Sequence, residues 1–158
     1  MCGLAGCWGQ VADAGIAEKM ASAVASRGPD DSGTWFEEGE RLALAHRRLA
    51  ILDLSPAGHQ PMQSPCGRFV LVYNGEVYNH QDIRATLEAE GGAFDWRGHS
   101  DTETLLAALR HWGIQGALGR VNGMFAFALW DVTERTLFLA RDRMGEKPLY
   151  YGRSGDTF

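Results

Sequence analysis

The sequence predicts an α+β fold in which sheets stack face to face between helical layers. Three observations predict it. Residues 69–73 and 124–130 form runs that are apolar on both faces, so each strand needs cover on two sides. Three other segments place apolar side chains at helical spacing. Short polar breaks join neighbouring strands as hairpins. Elements of this kind bury their apolar faces by layering.

In chain order, residues 1–10 are short, apolar and carry three glycines, which reads as a buried strand. Ile16, Met20 and Val24 recur at helical spacing with alanines in the same turns, predicting a helix over 15–26. SRGPDDSG, at 26–33, is a loop broken by Pro29 and two glycines. Residues 34–37 and 42–48 predict short strands, and the two-proline stretch 51–62 a loop. After the 69–73 strand, Asn79 is the expected cap of a helix with Ile83 and Leu87 inside. Ser100-Asp-Thr-Glu103 has the spacing of a capping box, opening a helix that carries Leu105, Leu106, Leu109 and Trp112. The 124–130 run then meets residues 137–140 across the polar break 131–135, as a hairpin. Residues 156–158 read as a turn leading into another strand, so the chain is expected to be a piece of a longer polypeptide.

Composition bounds the function. The 158 residues suit one domain with its own core. Net charge is −5 without a basic run, which argues against nucleic acid as a partner. No apolar run approaches the roughly 20 residues of a membrane span. No charged segment followed by an apolar one opens the chain, so no signal peptide is expected. Three cysteines, Cys2, Cys7 and Cys66, cannot all pair within the chain, and a reducing cytoplasm is the simpler setting. The five histidines are scattered and Cys2 and Cys7 lack C-x-x-C spacing, so no metal site is expected. Neither glycine-rich phosphate motif occurs, so no nucleotide site is expected.

A few residues carry chemistry. Cys2 would become the first residue on removal of the initiator methionine, placing a thiol and a free α-amine on one residue. Thiolate is the reactive form of cysteine, and a terminal amine with a reference pKa of about 7.7–8.0 is partly unprotonated near neutrality. Pairing the two activates the nucleophile. Asn74-Gly75, at the end of the buried strand, is the preferred two-residue hairpin turn. It is also a side-chain amide beside a backbone N–H, the makings of an oxyanion hole, and both readings stay open. Arg48 is either a solvated arginine or a receiver for a carboxylate. Strand alternation puts Arg47 and Arg48 on opposite faces, so at most one enters a pocket. Asp101 is either a carboxylate favoured by the helix dipole or a receiver for an ammonium group.

MCGLAG, RGPDDSG, AHRRLAILD, YNGEVYNH, SDTE, NGMFAFALWD and LARDRMGEKPLYY occur in that order across essentially the whole chain. Together they resemble the N-terminal glutaminase domain of the asparagine-synthetase type, a class II glutamine amidotransferase and N-terminal-nucleophile (Ntn) hydrolase. The resemblance implies a four-layer αββα sandwich, two antiparallel sheets between helical layers, over residues 1–158. It implies hydrolysis of L-glutamine to glutamate and ammonia, with Cys2 as nucleophile forming a thioester. The α-amine of Cys2 acts as base through a water, and Asn74 with the Gly75 backbone forms the oxyanion hole. By the same resemblance Arg48 holds the α-carboxylate and Asp101 the α-ammonium of glutamine. Glu76 and the backbone from Leu49 to Leu52, with Ile51 between them, line the pocket. RGPD at 27–30 is a loop packing beside the nucleophile.

Met144 and Glu146 stand where many relatives carry other residues, in a stretch read as contacting a following domain. The implied partners are L-glutamine and a synthetase domain of the same chain, and a homodimer stays open. ATP and magnesium are expected only in that synthetase domain, which this sequence lacks, so no cofactor is expected here. The ammonia acceptor is aspartate or another metabolite carboxylate. Two rivals remain. One is a catalytically silent Ntn-type domain used for assembly or regulation, the other an N-terminal-cysteine acylase acting on another amide.

Overall fold

The computed structural model describes residues 2–91 and 94–158. Met1, whose removal the reading of Cys2 requires, lies outside them. One sheet holds β1 (Gly3–Trp8), β2 (Asp31–Glu37) and β3 (Leu42–Arg48) in the order β1-β3-β2. The other holds β4 (Met62–Gln63), β5 (Phe69–Val77), β6 (Gly123–Asp131) and β7 (Thr136–Arg141), each beside the next. All pairings are antiparallel. Helix α1 (Ala14–Ala23) covers the first sheet, and α2 (His80–Ala89) and α3 (Asp101–Arg120) lie on the side of the second. The four layers are those expected from the sequence.

Each interface between layers has its own core. Ala17 and Ala21 of α1 meet Ala43 and Ala45 of β3. Between the sheets, Leu42 and Leu44 face Val70, Val72, Ala128 and Trp130. Beneath α2 and α3, Leu71, Tyr73, Phe125, Phe127 and Leu129 pack on Ile83, Leu87, Leu105 and Leu109. The side-chain period of two therefore assigns every strand residue a layer. Even-numbered residues of β3 and β5 face the gap between the sheets. Odd-numbered residues of β5 face the helices.

Several sequence expectations are corrected. Asn74-Gly75 is no hairpin turn. It lies inside β5, which continues to Val77 because β6 runs alongside as far as Gly123. The buried face of α1 is its alanines, and Met20 is exposed, because the alanines of β3 bring helix and sheet too close for larger residues. Asn79 sits at the start of α2 without capping it through its side chain. Its amide instead donates to the Arg120 carbonyl at 2.9 Å, and its oxygen accepts from the Asn122 amide at 2.9 Å. Ser100 does cap α3, its hydroxyl accepting from Glu103 N at 3.2 Å. The return half of the box is absent: Glu103 accepts from the Arg97 and Gly98 amides and pairs with Arg84. Gly113, with φ of 69°, interrupts α3 just past Trp112. Near the end of the described chain, Trp8 and Phe158 exchange two backbone hydrogen bonds of 2.8 Å along β1.

Candidate active site

Layer assignment decides which polar residues meet. Beyond the apolar inter-sheet core, the same face of β3 continues with His46 and Arg48, and that of β5 with Asn74 and Glu76. Cys2 precedes β1 on the same side as Leu4 and Trp8. At this end of the sandwich the two sheets leave a cavity of about 100 Å³. One water needs roughly 10–15 Å³ by such a measure, so the space suits a small molecule. Cys2, Arg48, Asn74, Gly75, Glu76 and Asp101 all line it, as do Leu49, Ile51 and Leu52. Every sequence-predicted site residue is thus brought to one place.

The sulfur of Cys2 lies 3.4 Å from the Leu49 amide and 3.7 Å from its carbonyl. The Cys2 carbonyl accepts from Arg27 Nε at 3.1 Å, so the RGPD loop holds the backbone of Cys2. Asp30 on that loop accepts from the Ala50 amide at 2.9 Å.

Strand β5 supplies an open edge. Its odd-numbered amides point away from β6, and β4 pairs only as far as Leu71. Beyond that point side chains take over: the Tyr73 amide donates to Gln60 Oε1 at 2.7 Å, and the Val77 amide to Asp101 Oδ2 at 2.8 Å. Gly75 lies between them at the same parity. Opposite it, both backbone groups of Phe125 turn to Asp142. The Gly75 N–H therefore has no partner among the described residues and faces the cavity edge. A side chain at Gly75 would strike the Met124 carbonyl and Phe125, which is why glycine stands there. Asn74 is buried, and its amide makes no hydrogen bond among the described residues. Both residues with an unpartnered donor thus line the same cavity.

Arg48 is buried, yet its charge is well met. Nη1 donates to the Ser55 carbonyl at 2.9 Å and Nη2 to the Asp53 carbonyl. Its other N–H groups have no partner among the described residues. Arg47 faces the α1 side, as alternation requires. Asp53 fixes the loop that holds Arg48, accepting from the Ser55 and His99 amides at 2.8 Å each. Its carboxyl is held down at about 2 by the Ser55 hydroxyl first, then by those amides and Arg48, against the opposing effect of burial.

The sequence reading missed several cavity residues, among them Asp53, Gly58, Gln60, Tyr73 and Lys147. Gly58 leaves room for the Arg48 guanidinium, which a Cβ would overlap. Gln60 satisfies the β5 edge. Tyr73 donates its hydroxyl to Asp101. Lys147 is buried beside them. Two signals were available: Asp53 two residues before Ser55 is the spacing of a side-chain-stabilised turn, and a tyrosine in a buried strand needs a hydrogen-bond partner.

Residues 1–158 match the family model described as a glutamine amidotransferase domain. The chain belongs to that family. It is 39% identical over 165 residues to "Asparagine synthetase [glutamine-hydrolyzing] 3" of Bacillus subtilis, a match covering all of this chain and 26% of that protein. It is 42% identical to "Amidase chry2" of Gibberella zeae over 81% of this chain and 18% of that protein. To a "Putative asparagine synthetase [glutamine-hydrolyzing]" of Mycobacterium bovis it is 44% identical, over 78% of this chain and 20% of the relative. The glutamine amidotransferase domain thus spans about a quarter or less of these relatives. Among its described residues, no helix is long and apolar enough to cross a membrane.

Proposed function

We propose that this domain hydrolyses L-glutamine to glutamate and ammonia through a Cys2 thioester, and that the ammonia passes to a synthetase domain of the same polypeptide. The observation that carries the reading is the convergence of Cys2, Arg48 and Asp101 on one small cavity. Free glutamine is a zwitterion with an amide at its far end. A pocket for it needs a cation, an anion and a nucleophile, and a generic acylase needs only the last.

The chemistry follows from those groups. The thiol proton passes to the α-amine of Cys2 through a water, and sulfur attacks the side-chain amide carbon. Charge develops on the amide oxygen, where the Asn74 amide and Gly75 N–H receive it. The protonated amine returns the proton to nitrogen as the tetrahedral adduct collapses, and ammonia leaves. Water then attacks the thioester with the same amine as base, releasing glutamate and the thiol. Arg48 takes the α-carboxylate and Asp101 the α-ammonium, with Glu76 lining the same pocket. The relatives that are asparagine synthetases support a carboxylate such as aspartate as the ammonia acceptor.

Glutamate release from glutamine by the purified protein tests this. Cys2→Ala is expected to bring release to background while leaving glutamine binding in place. A Cys2→Ala protein that still turns over glutamine would sink the thioester route. Arg48→Ala with unchanged glutamine turnover would point to a different amide as substrate.

A further inference from the structure

Asp101 has a specific arrangement of donors. It is buried at the start of α3, and both groups that donate to it use one oxygen. The Tyr73 hydroxyl and the Val77 amide each lie 2.8 Å from Oδ2. Oδ1 makes no hydrogen bond among the described residues. A carboxylate rotates readily about its last side-chain bond, which has broad and roughly two-fold preferences. Two donors on one oxygen fix its plane and leave the other oxygen for a ligand.

Tyr73 is itself held at every polar atom. Its amide donates to Gln60 Oε1 at 2.7 Å, and Gln60 Nε2 reaches Thr102 Oγ1 at 3.4 Å. Its carbonyl accepts from His46 Nε2 at 2.9 Å. Burial lowers the His46 pKa to about 4, so the ring is neutral and holds its N–H on that carbonyl. Burial first, then the Asp101 charge, pushes the Tyr73 hydroxyl far above its ordinary range, so it stays a donor at any working pH. The ring packs in the core under α3, and only the hydroxyl reaches Asp101.

We propose that Tyr73 is a positioning residue that sets specificity for the substrate's α-ammonium, by holding the Asp101 carboxylate with Oδ1 toward the cavity. The inference rests on the glutamine reading above and adds a selectivity determinant to it. Tyr73 touches no reacting atom, and its effect passes through Asp101.

Tyr73→Phe keeps the ring and removes only the hydroxyl. The test compares wild type and Tyr73→Phe on two substrates, L-glutamine and glutaramate, which is glutamine without its α-amine. For L-glutamine, KM is expected to rise roughly tenfold, as befits loss of one hydrogen bond to a charged group, with kcat about unchanged. For glutaramate, kcat/KM is expected to stay as in wild type. A double-mutant cycle guards against a packing defect: in an Asp101→Asn background, Tyr73→Phe is expected to add nothing. An unchanged KM for glutamine would overturn the proposal. Equal losses on both substrates, or a full further loss in the Asp101→Asn background, would also overturn it, since either marks a structural role. Wild-type protein that turns over neither substrate would overturn the glutamine reading and this inference with it.

Discussion

The Arg48 guanidinium is held in the cavity wall by backbone carbonyls. It leaves β3 toward the gap between the sheets and threads past Gly58 to the carbonyls of Asp53 and Ser55. A methyl group at position 58 would overlap the far end of this flexible side chain rather than backbone. The fold can therefore accept the change by moving the guanidinium, at the expense of both carbonyl contacts. Gly58→Ala is expected to raise KM for glutamine roughly ten- to a hundredfold, the range for losing a charged anchor, with the unfolding midpoint nearly unchanged. Steady-state kinetics beside thermal unfolding checks this; a normal KM would show that Arg48 finds its place without that space. At this scale the sequence exposed residue types more readily than partners. Cys2, Arg48 and Asp101 were singled out by residue type, and the ordered motifs of the resemblance gave them their expected roles. Tyr73, Gly58 and Gln60 act through contacts with residues distant in sequence, and no local pattern announces those.

Elements place these residues by parity and by where pairing stops. The two-residue β4 begins only at Met62, opposite Leu71, so the edge of β5 from Tyr73 to Val77 is completed by side chains, with the Gly75 amide left over. Long strands were legible because their apolar runs are continuous. A strand as short as β4 has no period to read, and Asn74-Gly75 looked like a turn because that dipeptide's local preference says nothing about a neighbouring strand. The loop after β3 is an element in its own right, closed by Asp53 onto the Ser55 amide and onto His99 just before α3. Its carboxyl sits at about 2 against the usual 3.8, so folding favours the ionised form. The sign follows: this stabilisation is complete above about pH 4 and disappears as pH falls toward 2. Wild type is expected to be more stable than Asp53→Asn by about 2 kcal/mol at neutral pH. The gap should close between pH 4 and 2 in paired unfolding curves. A gap that does not change with pH would show that the amide replaces the carboxylate without loss of charge interactions.

On the scale of the whole molecule, four layers with three separate apolar cores bring one inter-sheet edge of polar residues to the chain's second residue. The layering was legible from strands apolar on both faces. The convergence was expected through the family resemblance and not from periodicity, because the β3 face and the β5 face meet only once the sheets are stacked. On the proposed mechanism, maturation of the chain is part of the chemistry. Cys2 Sγ is placed by Leu49 and its carbonyl by Arg27, so the thiol is located whether or not a residue precedes it. The α-amine differs: behind another residue it is an amide nitrogen and cannot take up a proton. Protein that keeps a residue ahead of Cys2 is therefore expected to fold with the same unfolding midpoint and to bind glutamine, yet to release no glutamate. A diazoketone analogue of glutamine offers a direct readout, because its reaction also needs the thiol proton moved. One covalent adduct at Cys2 is expected on chains that begin with Cys2, and none on chains that retain the methionine, with intact mass distinguishing the two in one sample. Equal labelling of both would mean that another group moves the proton, and the proposal that the amine of Cys2 serves as base would fall while the glutamine site stood.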